Sequence, residues 1–129
     1  RVSKQSKLQG SLLGTGFPYR NDEECLKVYL EMFSDFAKVV GAIRRPGSAA
    51  LDLAYVASGR YDGFWEFSLK PWDVAAGALL IQEAGGIVQN IIPNTDPVES
   101  GSLFCGNPKI FELMQEIIKR YDEKLKAFA

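Results

Sequence analysis

The stretch from Lys70 to Gly86, KPWDVAAGALLIQEAGG, restricts the fold more than any other part of the chain. Pro71 stops a preceding extended segment and suits a first helical turn, and the run from Trp72 to Ala84 has helix-compatible residues with no internal proline. Ala75, Ala76, Gly77 and Ala78 leave almost no side-chain bulk along that helix. Gly77 costs about 1 kcal/mol of helix propensity relative to alanine, so another element is expected to pack closely there. Asp73 falls in the first turn, where unpaired backbone donors and the helix dipole stabilise an anion. Spacing alone leaves two roles open for it: a helix cap, or an ionised carboxylate beside a cleft. Gly85 or Gly86 is expected to take the left-handed position that ends the helix, and Gly86-Ile87-Val88 to begin an apolar strand.

Strand-like and helix-like patterns alternate along the rest of the chain. Arg1 to Gln9 is a polar edge; Ser11-Leu12-Leu13 then reads as a strand entering a turn at Gly14-Thr15-Gly16, which lacks the lysine and spacing of a phosphate-binding loop. Asn21, with Glu24 three residues later, is the expected cap of a helix whose inward stripe is Cys25, Leu26, Tyr29, Met32, Phe33 and Phe36. Val39 to Ile43 reads as a strand and Arg44-Arg45-Pro46-Gly47-Ser48 as a turn. Ser48 is the expected cap of a helix from Ala49 to Ala57 that ends near Gly59. Tyr61 to Phe67 is strand-like, Ile87 to Ile92 and Ser102 to Cys105 likewise, and Asn94 to Pro97 is a connection. Asn107 with Pro108 opens a last helix with Ile110, Leu113, Met114, Ile117, Ile118 and Tyr121 inward. This order predicts one layered α/β sheet-and-helix domain spanning residues 1–129, with no internal repeat. A chain of 129 residues holds one hydrophobic core and is too short for two developed domains.

Several function classes lose support on chemistry alone. The formal charge of -1 offers no bulk basic excess for nucleic acid, and no apolar run approaches the roughly 20 residues that cross a bilayer. No secretory signal opens the chain, which favours the cytoplasm. There is no histidine, so Cys25 and Cys105 have no cysteine–histidine pairing available, and no catalytic residue is assigned. Metal chemistry would have to use carboxylate oxygens, which suit Mg2+ or Mn2+ better than zinc. Glu66 stands out as an acid in an aromatic strand, either as a solvated strand end or as a ligand-binding group. Ser48 is either a cap or part of a binding wall. Arg44 and Arg45 are surface cations or contacts for phosphate or acidic protein. Asp62 and Trp72 read as structural, the ring securing the Asp73 turn, and Lys70 as either solvent-facing or a cation for phosphate.

Trp72-Asp73, the small residues Ala75, Ala76 and Gly77, and the ending Glu83-Ala84-Gly85-Gly86 closely resemble a signature of the inositol monophosphatase family, nearest its bacterial extragenic-suppressor branch. The resemblance implies the C-terminal half of the sandwich shared by inositol monophosphatases and fructose-1,6-bisphosphatases. It implies a Mg2+-dependent phosphomonoesterase with Asp73 as a metal ligand. Glu66 and the turn Gly47, Ser48 and Ala49 would then bind substrate hydroxyls. A small phosphorylated polyol is the implied substrate, with myo-inositol 1-phosphate leading and fructose bisphosphate or nucleotide phosphates as family alternatives. A homodimer of the complete enzyme is implied as well. The family's upstream glutamate and Asp-Pro-x-Asp-Gly-Thr segment, which carry most metal ligands, are absent from this sequence, so this half alone is expected to be inactive. The alternative reading is an interaction domain for a transcription-related protein partner.

Overall fold

The computed structural model describes residues 1–18 and 22–129. Five strands, β1 (Leu12–Thr15), β2 (Ala42–Arg44), β3 (Gly63–Glu66), β4 (Ile87–Asn90) and β5 (Leu103–Gly106), form one sheet in the order β2-β1-β3-β5-β4. β1 pairs in parallel with β2 and β3, whereas β5 runs antiparallel to both β3 and β4. The helices are α1 (Glu23–Ala37), α2 (Ala49–Ala57), α3 (Pro71–Glu83), the single turns α4 (Pro97–Ser100) and α6 (Asp122–Leu125), and α5 (Pro108–Ile118).

The sheet is covered on both faces. Leu13, Trp65 and Phe104 pack with Tyr29, Met32 and Phe36 of α1 and with Ile110, Met114 and Ile117 of α5. On the other face Phe64, Leu103 and Cys105 pack with Leu53 and Val56 of α2 and with Val74 and Ile81 of α3. All four residues of β3 are buried, because successive side chains enter two different cores. The predicted layered α/β domain is therefore a three-layer helix–sheet–helix stack.

Gly77 accounts for the small-residue run in α3. A Cβ there would lie 2.5 Å from Leu53 Cβ, so α3 approaches α2 more closely than any side chain would allow. Gly85 takes the left-handed conformation that ends α3, at φ 93°. The predicted caps at Ser48 and Asn107 are present: Leu51 N–H donates to Ser48 Oγ at 3.4 Å, and Ile110 N–H donates to Asn107 Oδ1 at 2.8 Å.

Several expectations need correction. The predicted Asn21 cap lies outside the described residues, and the carboxylate that accepts from Cys25 N–H at 3.0 Å belongs to Asp22. Leu26 of the predicted α1 stripe is exposed, its place taken by Val28. The second strand begins at Ala42, since Val39 and Val40 close the end of α1 through bonds to Phe36 O. The loop after Asn94 holds the turn α4, capped by Asp96 with Pro97 at its first position. Trp72 does not brace the Asp73 turn; it is 78% exposed, because the first turn of α3 directs it away from the sheet.

Candidate active site

Because β1, β2 and β3 run parallel, their carboxyl ends emerge along the same edge of the sheet. From β1 the chain passes to α1 on one face, and from β2 to α2 on the other. In open α/β sheets, ligands bind outside the carboxyl ends of the strands where connections diverge in this way. A cleft of about 220 Å³ lies there. Gly16 follows β1, Arg45 and the turn Gly47 to Ala50 follow β2, Glu66 ends β3, and Asp73 sits in the first turn of α3; all of them line it. The structure thus brings together Gly47, Ser48, Ala49, Glu66 and Asp73, which are distant in sequence. Arg44 is not among the lining residues; it lies exposed on edge strand β2.

Glu66 shares its strand parity with Phe64, so it points toward the α2–α3 layer. It is not a solvated strand end, being only 4% exposed. Burial lifts its carboxyl to about 7, Asp52 and Asp73 push the same way, and Arg45 opposes them. Its space comes from Gly16: a Cβ at that position would lie 2.1 Å from Glu66 Oε1. The glycine that reads from sequence as part of a turn is therefore the floor under an acid.

Asp73 is half-buried, and its Oδ2 accepts from Lys70 N–H at 3.2 Å. The cap role and a cleft-facing position are both realised by the same carboxylate. Lys70 contributes its backbone here, and its side chain is half-buried rather than fully solvated. Asp62 is structural as expected, accepting from Ser3 Oγ at 2.6 Å and from Leu12 N–H at 2.7 Å.

Asp52 was not singled out from sequence. It is 1% exposed, burial raises its carboxyl to about 6, and Oδ1 has no hydrogen-bond partner among the described residues. A signal was available, because Asp52 is the one charged residue within the apolar run Ala49 to Ala57.

The pH dependence of stability carries a sign. Well below the ordinary Glu66 value of 4.5, the folded and unfolded states both hold the proton. Between 4.5 and about 7 only the unfolded state releases it, so stability falls as pH rises through this window. Glu66→Gln is expected to raise stability at pH 8 by about 3 kcal/mol, from 1.36 kcal/mol per pH unit, and by almost nothing at pH 4.5. Denaturant midpoints in metal-free buffer at the two pH values read this out, and an equal gain at both would rule out the ionic cause.

A sequence profile of the inositol monophosphatase family matches residues 1–123. The chain belongs to that family. It is 50% identical over 120 residues to the Nus factor SuhB of Pseudomonas aeruginosa, covering 92% of this chain and 44% of that protein. It is 46% identical over 120 residues to the inositol-1-monophosphatase of Rhizobium meliloti, covering 93% and 45%. The crystal structure of the extragenic suppressor protein suhB from Bartonella henselae superposes with a TM-score of 0.84 at 39% identity, over 92% of this chain and 45% of that one. The inositol monophosphatase of Anabaena gives 0.78 at 36%, over 93% and 47%. The chain therefore spans less than half the length of the relatives it matches. Its family is one of metal-dependent phosphatases.

Proposed function

We propose that this chain forms one wall of the active site of a longer Mg2+-dependent phosphatase, acting on a small phosphate monoester, with myo-inositol 1-phosphate the leading substrate. The observation that carries this reading is the convergence of Glu66, Asp73 and the Gly47–Ala50 turn on one cleft at the carboxyl ends of parallel strands. Asp73 fits a hard cation: it lines the cleft, its cap bond uses one carboxylate oxygen, Oδ2, and an all-oxygen donor suits magnesium. Among the described residues no group of three or more His, Cys, Asp or Glu could hold a metal ion. On this reading the remaining ligands come from a part of the protein outside this sequence.

Mg2+, when bound, would neutralise phosphate charge and help activate water. Glu66 would orient the alcohol part by hydrogen bonds to its hydroxyls, and the first amides of α2, at Ala49 and Ala50, would donate to substrate oxygens. α3 is apolar on both sides: Val74, Gly77, Ala78 and Ile81 are buried, while Trp72, Leu79 and Leu80 are exposed. Such all-round apolarity belongs to a covered helix, and on this reading a part of the protein outside this sequence supplies the cover. Among the described residues no helix is long and apolar enough to cross a membrane. We place the enzyme in the cytoplasm as a homodimer, which sedimentation of the full-length protein tests.

The deciding experiment measures phosphate release from myo-inositol 1-phosphate across a Mg2+ titration, by the full-length protein and by residues 1–129 alone. Turnover by the first and almost none by the second is expected. Full activity of residues 1–129 would end the split-site reading. The relatives named Nus factor SuhB favour a second reading, an interaction domain for a transcription-related protein. Tight partner binding by an inactive full-length protein would establish that instead.

A further inference from the structure

We propose that Ser102 is a positioning residue that fixes Asp73 against Glu66 by anchoring the strap of chain between them. The inference rests on the reading above that Asp73 meets a metal ion in the cleft where Glu66 holds the alcohol part. The strap, Phe67 to Lys70, leaves β3 directly after Glu66 and ends where α3 begins. Phe67 is buried in the core on the α1 and α5 side of the sheet, and Leu69 in the core on the α2 and α3 side. Between them the exposed Ser68 stands at φ 60°; the other non-glycine residue with positive φ among the described residues is Asn94. Asparagine visits this region readily, whereas serine does so at a cost. Such a conformation persists only where its surroundings impose it.

The surroundings here are the two residues ahead of β5. Ser68 N–H donates to Ser102 Oγ at 2.9 Å, and Leu69 N–H donates to Gly101 O at 3.0 Å. Ser102 is itself held: it is 1% exposed, its N–H donates to Ser100 Oγ at 3.2 Å, and its carbonyl accepts from Ile91 N–H at 3.0 Å. Gly101 is left-handed at φ 69°, and a Cβ there would overlap the carbonyl of Leu69, so strap and anchor meet backbone to backbone. At the end of the strap, Lys70 donates its N–H to Asp73 Oδ2 at 3.2 Å. The buried hydroxyl thus controls the path of the backbone that reaches the Asp73 carboxylate. Glu66 needs no such anchor, because β3 pairs it directly with Leu103 of β5. Loosening the strap therefore displaces Asp73 and leaves Glu66 in place.

The test compares full-length wild type with Ser102→Ala. In metal-free protein, hydrogen exchange followed residue by residue is expected to quicken about tenfold at the amides of Ser68 and Lys70. The midpoint of the Mg2+-dependent thermal shift, read without substrate, is expected to rise about fivefold. Turnover of myo-inositol 1-phosphate at subsaturating Mg2+ should fall about 10-fold, within the roughly 100-fold that a 1 Å misplacement costs, while KM at saturating Mg2+ stays within about twofold. Adding Ser68→Gly, which adopts φ 60° freely, should return the Mg2+ midpoint to within about twofold of wild type. Unchanged exchange in the strap overturns the proposal whatever the protein catalyses. An active Ser102→Ala enzyme with an unaltered Mg2+ midpoint, or a defect that Ser68→Gly does not relieve, overturns it too. Faster exchange at both amides in a protein that neither binds Mg2+ nor hydrolyses the ester would sustain the hold of Ser102 on Asp73 and sink the phosphatase reading.

Discussion

Asp73→Asn in the full-length protein is expected to cut Mg2+-supported turnover by on the order of 100-fold, the scale on which losing one fixed electrostatic contact to a reacting centre acts. It is also expected to shift the Mg2+ titration to higher concentration. The substitution separates the two duties of this side chain. An asparagine keeps a carbonyl oxygen of almost the same size and position, so the bond from Lys70 N–H and the start of α3 survive. What disappears is the negative charge and the strong oxygen donor on the cleft side. The thermal midpoint of the metal-free protein should therefore barely move while activity collapses. Glu66→Gln serves as the comparison, with a smaller loss concentrated in KM, because hydrogen bonding to hydroxyls survives in part. An Asp73→Asn enzyme with an unaltered Mg2+ response would remove Asp73 from the metal site.

Gly16→Ala is expected to reduce kcat/KM on myo-inositol 1-phosphate by about 10- to 100-fold while the protein stays folded. The new methyl carbon would stand 2.1 Å from Glu66 Oε1 and 2.5 Å from its carboxyl carbon. Both are the far end of a jointed side chain, so the backbone need not move and the carboxylate must. Glu66 has little room in which to resettle, being 4% exposed under α2 and α3. A displacement near 1 Å of an orienting group costs up to about 100-fold in rate. A double-mutant cycle isolates the cause. In a Glu66→Ala background the same Gly16→Ala change has no carboxylate to displace and should cost almost nothing further. Equal losses in both backgrounds would show that Gly16 acts by another route.

Much of the fold was legible locally. The helix from Pro71 with its glycine stop, the caps at Ser48 and Asn107, and the order of strands and helices all follow from residues that act on neighbours one to four positions away. Element ends were less legible, as at Ala42, because a strand begins where a partner strand offers hydrogen bonds and not where apolar residues begin. Trp72 misled because a large ring invites a local packing role, while its face of α3 lies open.

The sequence by itself determined the family, the small-residue face of α3 and the candidacy of Asp73, Glu66 and the Gly47–Ala49 turn. Each of these is carried by a local motif or a residue type that stands out against its neighbours. Only the tertiary structure decided that Glu66 is buried, that Gly16 makes the space for it, that Asp52 is buried with Oδ1 unpartnered among the described residues, and that Arg45 lines the cleft while Arg44 does not. Those facts depend on which strands lie side by side and on which face each helix packs. The two parallel pairings of β1 place the ends of β1, β2 and β3 together, although Gly16, Arg45 and Glu66 are far apart along the chain. No local pattern encodes that meeting, because it arises from hydrogen bonds and packing between segments that touch only once the sheet has formed.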